Sequence, residues 1–274
     1  MNNLDNKHIA IVGCGWVGRA LADQLVSQHI KVTATTTSDE KLSELRSLGC
    51  IAQKLLLPES QSQAFEWLSG VDTLMISITP RFKRGETNYP EKVAQLVANA
   101  EQHGVENIIL LSSSGVYNGL VGEVDETTRL AITEQKVGLL HQAEHIVLNA
   151  NTRGAVLRLA GLVGPKRHPA RFMAGKTNLA NANTPTNLVH LNDVLAAINL
   201  MLSDTSLTGI YNVVSDTHPS REQFYTLACQ QQSLELPQFN EQQESALRVV
   251  KNDKIKQAGL SFEYPDLITW LQTT

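Results

Sequence analysis

His8-Ile9-Ala10-Ile11-Val12-Gly13-Cys14-Gly15-Trp16-Val17-Gly18-Arg19 decides the reading of this chain. It is a short apolar run, then a glycine loop, then an amphipathic segment from Trp16 to about Gln28 with Val17, Leu21, Leu25 and Val26 at helical spacing. Strand, G-x-G-x-x-G and helix in that order form the dinucleotide-binding fingerprint. Gly13 is expected to make the tight turn off the strand, Gly15 to let the backbone approach a pyrophosphate, and Gly18 to let the helix pack close to the strand. The anion then meets free N–H groups at the positive end of the helix. Gly13, Gly15, Trp16, Val17, Gly18 and Arg19 are therefore candidate cofactor-binding residues.

The 274 residues allow one large or two modest domains, and 42% hydrophobic residues suffice for a substantial core. A net charge of −4 argues against a nucleic-acid surface as the main purpose. No apolar run approaches the length of a membrane span. The start, Met1 to Lys7, is polar and has no signal-peptide core. Cys14, Cys50 and Cys229 are odd in number and far apart, without metal or redox spacing. These features predict a reduced, cytoplasmic protein.

Outward from the first helix, Lys31–Thr37 reads as a β-branched second strand. Ser38 is a candidate N-cap for a helix carrying Leu42, Leu45 and Leu48. Ile51–Leu57 reads as a third strand, Val71–Ile78 as a fourth and Asn107–Leu111 as a fifth. A helix from Pro90 to His103 precedes the fifth strand, and one from about Ile132 to Asn149 follows an acidic loop at Gly122–Glu126. Ala155–Leu159 is a sixth strand and Gly209–Val214 a seventh; Lys166–Asn187 is polar and weakly periodic. Alternating strands and helices predict an α/β fold, a doubly wound Rossmann parallel sheet of about seven strands. A dinucleotide-binding domain is expected over 1–165, and mainly a small substrate-binding lobe over 166–274, with 188–215 returning to the sheet. Ligands in such sheets bind beyond the carboxyl ends of the strands. That rule selects the glycine loop, Thr36–Ser38, Ser77–Arg84, Ser112–Tyr117 and Ala160–Arg171.

Several of these stretches form an ordered set. Leu111-Ser112-Ser113-Ser114-Gly115-Val116-Tyr117 resembles the "SSxxVYG" segment of the extended short-chain dehydrogenases/reductases, the NAD-dependent epimerase/dehydratase superfamily, with Asn118 in place of the usual glycine. Arg158–Pro165 resembles their "RxxxxxGP", Val189–Val194 their "HVDD", and Tyr211-Asn212-Val213 their last sheet strand. "GCGWVG", "GEVDE", "RLAGLVGP" and Val249–Lys254 are similar to an atypical, YeeZ-like bacterial branch.

The resemblance implies a Tyr-x-x-x-Lys pair on the helix after strand five. The phenol, with an unperturbed pKa near ~10, works as acid or base only when a neighbouring ammonium lowers it. Aligned on Glu144, Lys136 stands where Tyr belongs and Leu140 where Lys belongs, and no Tyr lies between Tyr117 and Tyr211. Losing such a group costs on the order of 10²–10⁴ in rate. Ser113 matches the family's catalytic Ser/Thr and Ser114 is beside it. Tyr117 is a candidate proton donor, with packing beneath the loop as the alternative. Lys136 is a candidate base if burial lowers its pKa, with a solvated helix lysine as the alternative. His141 and His145 have metal-ligand spacing but no third ligand, and are taken as surface residues; no metal is expected.

An NAD site places a carboxylate at the end of strand two. In family register that position is Thr36, followed by Thr37 and Ser38, and hydroxyls do not repel a 2′-phosphate. Arg19 could reach such a phosphate. NADP is therefore preferred over NAD, with Ser77, Ile78 and Thr79 as further cofactor contacts. Arg81 and Arg84, with Lys166, Arg167 and Arg171, are candidate substrate residues that would concentrate anions; ordinary solvated loops are the other reading. The expected function is an NAD(P)-dependent oxidoreductase or epimerase/dehydratase-like enzyme acting on an anionic small molecule, for instance a nucleotide sugar, without nucleic-acid or membrane partners. The alternative is an NAD(P)-binding regulatory or sensor protein without catalysis.

Overall fold

The run His8–Val12 is buried along its whole length and forms strand β1, an interior strand of a seven-stranded sheet. The computed structural model describes residues 4, 6–240 and 247–273. The polar residues 1–3 and 5 of the start lie outside that set.

Helix α1 (Trp16–Ser27) buries Val17, Leu21, Ala22 and Leu25 on one face, at the spacing that makes a core-facing stripe. Strand β2 (Lys31–Thr36) follows, then α2 (Asp39–Ser47) and β3 (Ile51–Lys54). Asp39 and Glu40 lie in the first turn of α2, where the helix dipole favours acids. The chain then adds β4 (Thr73–Ile76), α3 (Tyr89–Gln102) and β5 (Asn107–Ser113). Beyond them come β6 (Gly122–Val124), α4 (Gln135–Leu148), β7 (Arg153–Leu159), β8 (Gly161–Val163) and α5 (Ala170–Met173). The last elements are β9 (Leu188–His190), α6 (Leu191–Ser203), β10 (Gly209–Val213), α7 (Arg221–Gln231), β11 (Arg248–Val250), α8 (Asp253–Gln257) and α9 (Leu267–Thr273).

The sheet order is β10-β7-β5-β4-β1-β2-β3. β1 pairs in parallel with β2 on one side and with β4 on the other. The chain leaves β1 toward β2 and β3, then returns to the far side of β1 with β4. That reversal opens a crevice at the carboxyl ends of β1 and β4, which is where a doubly wound sheet binds its ligand. The seven expected strands are the seven strands of this sheet. The third is shorter than expected: Leu55–Leu57 leave the sheet after Lys54.

Two compact units divide the chain. The first comprises 1–116, 132–158 and 198–210, and the second 117–131, 159–197 and 211–274. The chain therefore passes between the units at several points. The reason is non-local pairing. Gly122–Val124, expected as a loop, is a strand that pairs in parallel with Arg248–Val250. Asn212 ties the same segment down: its Oδ1 accepts from the Tyr117 hydroxyl (2.8 Å), its backbone N–H donates to Glu126 (2.7 Å), and its Nδ2 donates to the Lys251 carbonyl (3.0 Å). The second unit has its own core, in which Val163, Ala170, Phe224, Ala228, Cys229 and Trp270 are buried together.

His190 lies in that unit, with its ring 4.1 Å from Tyr264 and 5.1 Å from Trp270. Burial lowers its pKa to about 4. A histidine depressed in the folded state contributes stability above its unfolded pKa near ~6.5 and loses it as pH falls through the folded value. The unfolding free energy is therefore expected to fall between about pH 6.5 and 4, and His190→Phe should flatten that part of the profile in urea unfolding. An unchanged slope in the variant would remove His190 as its source.

Candidate dinucleotide site

The end of β1 turns sharply because Gly13 adopts φ +92, a conformation that side chains disfavour. A Cβ there would lie 2.8 Å from the Ser77 carbonyl and the Ile78 nitrogen. The turn is thus pressed against the segment leaving β4. Gly15 differs: a Cβ there would meet only the Gly13 carbonyl oxygen at 4.0 Å, so its outer side is open. At Gly18 a Cβ would stand 3.1 Å from Ile11 Cγ2, so the glycine sets the close approach of α1 to β1. Thr35 fixes the loop from β2: its hydroxyl accepts from the Gly13 N–H at 3.2 Å and its carbonyl from the Cys14 N–H at 3.0 Å.

A cavity of about 340 Å³ opens at this loop. It is lined by Val12–Gly15, Thr35–Thr37, Lys41, Leu55–Leu57, Ser77–Thr79, Arg81 and Lys92. The volume falls in the range of small-molecule sites. Among the described residues, three cations and no carboxylate line it. The Lys41 side chain, on α2, makes no ion pair or hydrogen bond with the described residues.

The structure thus gathers Gly13, Gly15, Thr36, Thr37, Ser77, Ile78, Thr79 and Arg81 around one space. Trp16, Val17, Gly18 and Ser38 are next to it without lining it. Arg19 is exposed and ion-paired with Glu44 of α2. Its guanidinium is engaged with a carboxylate, and Lys41 is the cation of the β2–α2 side that reaches the cavity. Lys41, Lys92 and the apolar wall Leu55–Leu57 were not singled out by sequence. Lys41 carries only a helix-surface signal, and the others come from segments whose approach to the loop is non-local. Cys14 lines the cavity, but burial first, then the charge of Cys50, pushes its thiol up to about 12. It is a poor nucleophile at neutral pH.

The serine run caps β5. The Ser112 hydroxyl donates to Glu144 at 2.5 Å, and Arg158 grips the same carboxylate through Nε and Nη2, the latter at 2.7 Å. Glu144 and Arg158 are almost fully buried, at 1% and 2% exposure. Burial, and then the charge of Glu144, raise the Tyr89 phenol well above its usual range. Ser113 and Ser114 are half-buried just beyond, and the Ser113 oxygen accepts the Gly115 N–H at 3.0 Å. Leu140 is buried, with its Cδ1 3.7 Å from where a Gly115 Cβ would stand. An aliphatic chain thus fills the place where the resemblance implies lysine. Lys136 is exposed at the start of α4. Tyr117 is fully buried with its hydroxyl turned inward to Asn212.

Arg84 is exposed in the turn after β4, and Lys166, Arg167 and Arg171 are exposed in the second unit. Arg167 donates to the Leu162 carbonyl at 3.0 Å and lies 5.5 Å over the Phe172 ring. His141 and His145 face each other at 6.1 Å on α4, where Asn149 contacts His145. Among the described residues no helix is long and apolar enough to cross a membrane.

The sequence profile of the NAD(P)H-binding family matches residues 13–197, a span that begins at the glycine of the tight turn and runs past β9. The chain belongs to the NAD(P)H-binding family. The chain is 36% identical to Protein YeeZ of Escherichia coli (strain K12) over 267 residues, 95% of this chain and 97% of that one. Its fold matches UDP-glucose 4-epimerase of Thermotoga maritima, solved with UDP-glucose, at a TM-score of 0.77 with 15% identity over 97% of both chains. It also matches MoeE5, solved with UDP-glucuronic acid and NAD, at 0.77 with 16% identity over 97% of both chains. The open outer side of Gly15 fits the cofactor of such a family: a Cβ would take up space that a pyrophosphate needs to approach backbone N–H groups.

Proposed function

We propose that the chain is an NADP-preferring oxidoreductase or epimerase/dehydratase-like enzyme acting on an anionic small molecule of the nucleotide-sugar class. The observation that carries this reading is the cavity lining: a glycine cradle with Lys41, Arg81 and Lys92 and, among the described residues, no carboxylate. Thr36 and Thr37 leave the 2′ position of the cofactor ribose without a repelling charge, and Lys41 can pair with a phosphate there. When bound, the nicotinamide supplies a hydride acceptor or donor. The chain's own residues orient it: the glycine loop and α1 hold the pyrophosphate, and the Ser113 hydroxyl is the group offered to a substrate oxygen. UDP-glucuronic acid bound to MoeE5, a protein of the same fold, supports a nucleotide-sugar substrate. The exposed Lys166, Arg167 and Arg171 suit an anion. Three buried free cysteines suit a reducing, cytoplasmic setting.

A second reading, a dinucleotide-binding protein that does not transfer hydride, is favoured by a specific set of positions. Tyr117 turns its hydroxyl inward, Leu140 stands in place of lysine, and Lys136 is solvated.

Calorimetric titration of the purified chain with NADP and NAD separates these claims. NADP is expected to bind more tightly. Lys41→Ala should weaken NADP about tenfold, the equivalent of ~1.4 kcal/mol, and leave NAD nearly unchanged. Equal affinity for the two would overturn the preference. Oxidation or reduction of the bound nicotinamide by UDP-glucuronic acid or UDP-glucose, lost in Ser113→Ala, supports the enzyme. Tight binding with no hydride transfer to either would favour the second reading.

A further inference from the structure

Two of the three cations at the cavity come from neither the glycine loop nor the β2–α2 side. Arg81 follows β4, and Lys92 lies on α3. Both converge on one carboxylate. Lys92 Nζ is 2.7 Å from Glu86 Oε2, and Arg81 Nη1 is 3.6 Å from Glu86 Oε1. Glu86 itself does not line the cavity. Lys92 is only 14% exposed, whereas Glu86 is 28% and Arg81 46% exposed. Lys92 first, and more weakly Arg81, hold the Glu86 carboxyl below its usual range.

The charge count is uneven. One carboxylate serves a guanidinium and a half-buried ammonium, so the group keeps a net positive charge at the cavity wall. A carboxylate whose two oxygens meet an arginine and a lysine separately presents oxygens as a phosphate does. The cavity already belongs to a family of phosphate-bearing cofactors. The geometry points to Arg81 and Lys92 as a second anion subsite of this cavity, built for a phosphate group, with Glu86 as its resident counter-ion until a phosphate takes its place. The arriving dianion satisfies both cations together, and the displaced carboxylate passes to water. This rests on the dinucleotide reading of the cavity and not on any catalytic step. The phosphate has two possible sources: the 2′-phosphate of NADP, or the diphosphate of a nucleotide-linked substrate.

The test is calorimetric titration of the full chain and its Arg81→Ala, Lys92→Ala and Glu86→Gln variants with NADP, NAD and uridine diphosphate, each variant checked for an unchanged melting temperature. Removing either cation should weaken the phosphate-bearing ligand about tenfold, as expected for one charge-assisted contact. Glu86→Gln should tighten the same ligand by roughly threefold, because the internal competitor is gone. That gain cannot arise from a damaged fold. Changes with NADP and not with uridine diphosphate assign the 2′-phosphate; the converse assigns the substrate diphosphate. An equal loss for NAD and NADP overturns the proposal, since the group read would then be the pyrophosphate that both share. If the wild type binds the dinucleotides and all three variants match it for every ligand, the subsite is overturned and the family reading stands. If the wild type binds neither NAD nor NADP, both fall.

Discussion

Glu144→Ala is expected to destabilise the protein by about 3–5 kcal/mol, the cost of leaving a buried charge without its partner. Arg158 is 2% exposed and holds this carboxylate through two nitrogens, and Ser112 donates to it from β5. Removing the carboxylate takes the paired negative charge away from a guanidinium that is 2% exposed, and leaves the buried Ser112 hydroxyl without this acceptor. Three elements lose their common tie: β5, α4 and β7. Replacing both partners, as Glu144→Met with Arg158→Met, should recover much of the loss, because similar apolar volume removes the charges instead of isolating one. Urea unfolding measures both. A single-variant loss below ~1 kcal/mol would mean that the pair is solvated or relaxed by other contacts. The same variant has a functional side. β5 ends at Ser113, so a shift of this network moves the serine run that the proposed reaction needs.

This network also marks where sequence reading stops. Glu144 served there only as a marker for aligning a helix, because nothing local joins it to Ser112 or Arg158. Its partners stand 32 and 14 residues away. What was legible was periodic or conformational. Continuous β-branched and aliphatic runs gave the seven sheet strands, since a strand buried on both faces must be apolar throughout. The glycine spacing located the loop, since that turn admits few other residues. The three-residue strands β6, β8 and β9 are too short to carry such a pattern, and exist because of what they pair with. Leu55–Leu57 show the limit in miniature. The run is as apolar as a strand, yet it leaves the sheet and lines the cavity. Pattern alone does not distinguish burial in a sheet from burial beside a ligand. Arg19 is the complementary case. It has the right charge beside the right loop, but the Glu44 that engages it lies 25 residues on.

Gly15→Ala is expected to abolish most dinucleotide binding, by on the order of 10²-fold, while leaving the fold intact. Two or more charge-assisted N–H contacts to a pyrophosphate are each worth ~1.5–3 kcal/mol, and a methyl group in the cradle holds the anion away from them. The φ of −81 at Gly15 lies outside the left-handed region, and a Cβ there would sit 4.0 Å from the nearest neighbour outside the adjoining residues. The surrounding chain therefore does not crowd a side chain at this position; what it leaves room for is outside the chain. Gly13→Ala should behave in the opposite way. At φ +92 and 2.8 Å from the Ser77–Ile78 backbone, its methyl group is excluded by the protein itself, so the melting temperature should fall whether or not ligand is present. Thermal unfolding and NADP titration on the same two variants give a crossed pattern. A packed glycine turn with no ligand would give the first effect without the second. If Gly15→Ala binds NADP as the wild type does, the cradle is not where the pyrophosphate lies, and the cavity's three cations must hold the cofactor in another pose.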